Sequence, residues 1–123
     1  MDALTLIRNV EQPKGRVDVV LDTDTFNEID DQYAIAYMLS SGDKICTKAI
    51  CAAPFTGTEH SNSAADGMEK SYQEIHHILD LMHRDDMKPF VFRGSTEYLK
   101  DEKTPVVSPA AEYISQLAMN YTS

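Results

Sequence analysis

Cysteine, glycine, proline and basic side chains are all scarce in this chain of 123 residues, and tryptophan is missing altogether. The two cysteines, Cys46 and Cys51, cannot build a disulfide framework and are too few for a zinc site. Five glycines and five prolines exclude collagenous and low-complexity architectures. Eleven Lys and Arg face twenty Asp and Glu, a formal charge of −9, and a surface of that sign repels phosphate backbones and anionic lipid. Neither a nucleic-acid nor a membrane partner is therefore expected. No apolar run is long enough to span a bilayer. The opening MDALTLIRNVEQPKG has an acid at position 2 and no apolar stretch of the kind a secretory signal needs. The expected location is the cytoplasm. What is present, 42% hydrophobic and 25% charged residues, suits one globular domain with a modest core.

Residues 1–16 are polar and aperiodic, with Pro13 and Gly15 near their end, and read as an irregular lead-in to a single unit over 17–123. VDVVLDTD (17–24) is a β-branched run without a breaker, the pattern of a strand buried on both faces, and it ends in carboxylates. Ile29, Tyr33, Ala36, Tyr37 and Ser40 recur at helical spacing and predict a helix over 29–39, with Asn27 as its cap and the two tyrosines in the core. A second strand is expected at 44–53, then a long polar loop over 55–67, a helix over 68–83 and a third strand at 89–94. A last helix begins near Ser108-Pro109, a cap followed by proline in the first turn. The order β-α-β-α-β-α predicts an α/β fold, a parallel sheet with crossover helices of the Rossmann-like kind. In such sheets ligands bind beyond the carboxyl ends of the strands, where Asp22, Asp24 and the long loop all arrive.

Five carboxylates fall within ten positions: Asp22, Asp24, Glu28, Asp30 and Asp31. Like charges so close are destabilising unless compensated, and a hard divalent cation with a preference for oxygen ligands is the obvious compensator. The bland alternative is that Glu28 and Asp30 favour a helix N-terminus and that Asp22 bonds to a neighbouring loop. An EF-hand is excluded, because Phe26, Asn27 and Tyr33 stand where that loop requires an oxygen ligand, a glycine and a glutamate.

VVLDTDTFNEIDDQYAIAYML (19–39) resembles the first motif of the inosine–uridine-type nucleoside hydrolases: a hydrophobic strand, D-x-D, a short loop, and a D-D pair opening an alanine-rich helix. The loop Thr25–Ile29 is two residues longer than the family's usual form and is similar to a subgroup with E-I-D-D; GMEKSYQEI (67–75) and PFVFRGS (89–95) fit the same order. The resemblance covers about residues 17–120 and implies the first half of a nucleoside-hydrolase-like fold. It implies calcium-assisted hydrolysis of a ribonucleoside to base and ribose, a step in purine metabolism, with magnesium as the alternative ion. Asp24 would be both metal ligand and general base, Asp31 a second ligand, Asp22 a supporting acid near the metal, and Asp30 the holder of the ribose hydroxyls. The family's ribose-binding asparagine would be expected just after Pro54-Phe55; Gly57 stands there, which leaves Asn62 as the candidate. The remaining ligands and the leaving-group residues belong to the family's C-terminal half, so the chain reads as a truncated member. Its first strand would then be an open apolar edge, prone to self-association.

Two other readings use the same residues. Leu21-Asp22-Thr23-Asp24-Thr25 matches the strand–D-x-D-x-T motif of phosphohydrolases of the haloacid-dehalogenase superfamily. There Asp22 would be the nucleophile, Asp24 the acid/base, magnesium the ion and Ser95 the second-motif hydroxyl. The other is an inactive, truncated α/β interaction module. His76, His77 and His83 lack an i, i+4 pair and are expected to be solvated, His60 to be loop filler, and Cys46 and Cys51 to be small hydrophobes in the second strand.

Overall fold

The computed structural model describes residues 2–121. In chain order the elements are α1 (Ala3–Asn9), β1 (Val17–Thr23), α2 (Ile29–Ser40), β2 (Ile45–Ala52), α3 (Ala64–Leu81), a 3-10 helix (Asp85–Phe90), β3 (Val91–Arg93) and α4 (Pro109–Ala118). The fold is α/β, with one open parallel sheet of order β1-β2-β3. β1 pairs with β2 from Val17 opposite Ile45 to Thr23 opposite Ala52. The register slips once between Val19 and Val20, where Lys48 is the extra residue on β2. None of the helices is long and apolar enough to cross a membrane, among the described residues.

Side-chain alternation along the strands divides the core between the two faces of the sheet. On one face Ile50 and Ala52 pack with Ile35 and Leu39 of α2 and with Met68, Ile75 and Leu79 of α3. On the other, Ala49 and Cys51 meet Ala110 of α4, with Val20, Phe92 and Tyr113 around them. Burial pushes the Cys51 thiol up to about 11, which keeps it an inert small hydrophobe. α4 is tied to its face by polar tips on aromatic rings. Tyr113 stacks on Phe92 with centroids 4.2 Å apart and donates to the Lys48 carbonyl at 3.3 Å. Tyr121 donates to the Asp18 carboxylate at 2.5 Å.

Several expectations need correction. The lead-in is not wholly irregular: Ala3–Asn9 is helical, capped by Asp2, whose carboxylate accepts from the Thr5 N–H at 2.8 Å. The predicted core face of α2 is its solvent face. Tyr33 and Tyr37 are 70% and 75% exposed, while Ile35, Met38 and Leu39 are buried. Both sets sit at helical spacing, so periodicity alone points to two faces at once. Asn27 does not cap α2; Glu28 holds that position in an extended conformation, without a side-chain cap bond. α3 starts four residues earlier than expected, because Ser63 caps it by accepting from the Asp66 N–H at 3.1 Å. β3 is only three residues long, since Asp85–Phe90 preceding it forms a 3-10 helix around Pro89. His76 is not freely solvated: its ring meets Tyr72 edge-on at 4.7 Å and its Nε2 is buried without a hydrogen-bond partner.

Candidate active site

β1 ends at Thr23, and Asp24 is the first residue beyond it, on the carboxyl edge of the sheet. A tight turn follows in which the Asn27 N–H donates to the Asp24 carbonyl at 2.7 Å. Within the same turn the Asn27 side-chain amide donates from Nδ2 to Asp24 Oδ2 at 2.9 Å. Asn27 Oδ1 is buried and has no partner. The turn is held from below by the hydroxyls of Thr23 and Thr25, 3.0 Å apart and both buried. It is held from the side by α3, where Ser71 Oγ accepts from the Phe26 N–H at 3.4 Å.

The first turn of α2 then returns Asp31 to the strand end. Its carboxyl is pushed above the usual carboxylate range, first by desolvation, then by its hydrogen-bonding contact with Asp24 and by the charges of Asp24 and Asp30; Thr23 opposes this with a hydrogen bond. Asp24 and Asp31 are thus brought together, with the unpaired Asn27 oxygen on the same turn. Asp30, one residue earlier, is exposed at the start of α2.

Asp22 stands elsewhere. Two residues beyond Val20, it faces the α4 side and lines a cavity of about 290 Å³ together with Gly94, Ser95, Tyr98, Ser108 and Ile114. Desolvation, and secondarily the charge of Asp24, push its carboxyl up as well. Asp22 therefore feels the charge of Asp24 while lining the cavity on the α4 side. No group of three or more His, Cys, Asp or Glu side chains converges as a metal site, among the described residues.

The loop between β2 and α3 reaches the first motif through His60, whose ring lies edge-on to Phe26 at 6.1 Å. Asn62 is exposed in that loop, and its backbone N–H donates to the Asp66 carboxylate at 3.0 Å. The loop is pinned at its base, where the Ser61 hydroxyl sits 2.9 Å from the Phe55 carbonyl and 2.6 Å from that of Ser63. Gly67 is required beside this contact, because a β-carbon there would collide with the Phe55 carbonyl oxygen. Lys70 completes the anchor, bonding to the His60 carbonyl at 2.9 Å and to Asp66 at 2.8 Å.

The role of Asn27 as a partner of Asp24 was not apparent from its type and position, which equally suit a helix cap. The other unforeseen feature is Arg93 at the end of β3. It grips Glu69 of α3 with two bonds, 2.7 and 2.9 Å, and lies 3.7 Å over the Tyr72 ring. Neither residue carried a sequence signal beyond its place in a recognisable segment. Compared with known protein families, curated proteins and solved structures, the chain matches none.

Proposed function

We propose that this acidic edge is the cation- and ribose-facing part of a nucleoside-hydrolase-like site, and that it serves hydrolysis of the N-glycosidic bond of a ribonucleoside. The observation that carries this reading is the meeting of the Asp24 and Asp31 carboxyls on the turn that holds a buried, unpaired Asn27 oxygen. Two carboxylates forced together and an orphaned amide oxygen are each costly without a cation, and all three are the hard oxygen donors that calcium takes. Calcium coordinates six to eight oxygens, so these three leave room for water and ribose hydroxyls, whereas magnesium holds to six at shorter distances.

Calcium, when bound, supplies Lewis acidity toward a water. Asp24 would accept a proton from the attacking water, and Asn27, by occupying Oδ2, fixes which Asp24 oxygen is free to do so. The water oxygen bonds to C1′ as the C1′–N bond breaks, the bonding pair leaves with the base, and the base takes up a proton from solvent while Asp24 returns its own to solvent. The carboxylates of Asp24, Asp31 and Asp30 stabilise the positive charge that develops on the ribosyl ring. Asp30, exposed at the mouth, is assigned to the ribose hydroxyls, and Asn62 in the adjoining loop is the second ribose contact. Asp22 contributes charge from the opposite face of the sheet.

One observation favours a second reading. Asp22 and Ser95 line the same cavity, as the nucleophile and second-motif hydroxyl of a haloacid-dehalogenase-like phosphohydrolase with magnesium would. The test is release of reducing sugar from purine and pyrimidine ribonucleosides in calcium. Asp24→Asn is expected to abolish it with the circular dichroism spectrum unchanged, and turnover retained in that variant overturns the reading. Isotope from labelled water entering ribose alone supports the nucleoside reaction, and isotope in the protein supports the second reading.

A further inference from the structure

We propose that α1 of one chain packs on the outer face of α2 of a second copy, exchanged reciprocally in a two-fold dimer. The inference stands apart from the proposed reaction. α1 has seven residues and none of them is buried. Isolated helices shorter than about 12–15 residues are marginal in water, so a helix this short needs a covered face to persist. The side chains available for cover are apolar: Leu4, Leu6, Ile7 and Val10 are 69%, 57%, 56% and 77% exposed. A matching need exists on α2, where Ile29, Tyr33 and Tyr37 follow one another at four-residue spacing on the face turned away from the core. Such a row is the ridge that a second helix seats against. In the single chain both faces are open at once.

Charge selects a second copy as the occupant. Self-association of a molecule of charge −9 is favoured where a local patch of the other sign meets an acidic one. The first sixteen residues carry Arg8, Lys14 and Arg16 against Asp2 and Glu11, so the acidic excess lies wholly in the rest of the chain. The α2 face is bordered at its start by the exposed Glu28 and Asp30, and residues 28–40 contain no Lys or Arg. Arg8 lies within α1 between Ile7 and Val10, where it can pair with Glu28, an acid the proposed reaction does not use, as the apolar rows meet. Two-fold symmetry repeats the seat, so each dimer gains two helix pairs from one kind of contact.

Sedimentation equilibrium of the full chain over a wide concentration range tests this. The native chain is expected to show a reversible monomer–dimer equilibrium. Ile7→Glu and Tyr37→Glu should each weaken dimerisation at least tenfold, and Arg8→Glu several-fold; the core fold should be retained because all three side chains lie outside it, with the helical circular dichroism signal falling by no more than the share of α1. An equimolar mixture of Ile7→Glu and Tyr37→Glu should associate more tightly than either variant alone, since one intact seat survives in the mixed dimer. A chain that is monomeric throughout overturns the proposal. So does a dimer that either glutamate variant leaves intact, as pairing along the β1 edge would. A mixture no tighter than its components overturns it as well.

Discussion

Asn27 reaches back three residues to the Asp24 carboxylate at 2.9 Å while its own side-chain oxygen stays buried and unpaired. A donor to a carboxylate contributes about 1.5–3 kcal/mol, and an orphaned oxygen beside it offsets part of that gain. Asn27→Asp removes the donor and adds a like charge. Its melting temperature in chelator should fall below that of the native chain, and saturating calcium should raise it by more than the native gain. Equal calcium-induced shifts in the two proteins would remove Asn27 from the cation's surroundings.

Asp31 and Asp22 hold their protons above the ordinary value of 3.8. For a carboxyl raised on folding, the stabilising contribution is complete below the unfolded value and is lost as pH rises through the folded one. At neutral pH without metal both therefore weaken the fold. Asp31→Asn should melt a few degrees higher than the native chain in chelator and should lose the calcium-dependent gain. Thermal melts at pH 7 with and without calcium decide this, and a lower melting temperature for Asp31→Asn in chelator would contradict it.

How much of this was legible beforehand differs between elements for physical reasons. β1, β2 and the Ser108–Pro109 start of α4 follow from β-branched runs and cap chemistry, which are local signals, and the structure carries them at nearly the expected bounds. The acidic crowding over 22–31 was equally plain. The direction of each carboxylate was not, because alternation along β1 sends Asp22 to the α4 face while Asp31 returns on α2 to meet Asp24. α2 could not be oriented either: its tyrosine row and its Ile35–Met38–Leu39 set are both apolar, and only tertiary packing decides between them. α1 has a cap and helix formers but buries nothing, so no periodic signal distinguished it from a coil.

Arg93 and Glu69 fasten the end of β3 to α3, and the pair holds the Glu69 carboxyl down to about 2 against an ordinary value of 4.5. A depressed carboxyl stabilises above its unfolded value and loses that contribution as pH falls through the folded one. Both side chains are 43% exposed, so solvent screening limits the pair to about 1 kcal/mol. Glu69→Gln should cost about that much at pH 7, and the difference from the native chain should shrink between pH 4.5 and about 2. Urea titrations at both ends of that range check it; a difference independent of pH would assign the cost to packing.

Gly67 admits no side chain, because the Phe55 carbonyl occupies the place of its β-carbon. Gly67→Ala should destabilise the chain by about 1–3 kcal/mol or more by forcing the loop off α3. Gly57, with φ of 86°, is open in space but left-handed in backbone, so Gly57→Ala should cost about 1 kcal/mol through strain alone. Denaturant midpoints rank the two, and a harmless Gly67→Ala would mean that the loop does not seat on α3 as described.

Whether Asp24 and Asp31 share a cation is decided by calorimetric titration of calcium into the metal-free chain. Saturable uptake of one ion by the native chain is expected, lost in Asp24→Asn and in Asp31→Asn. No uptake by the native chain, or uptake that both variants retain, would contradict it.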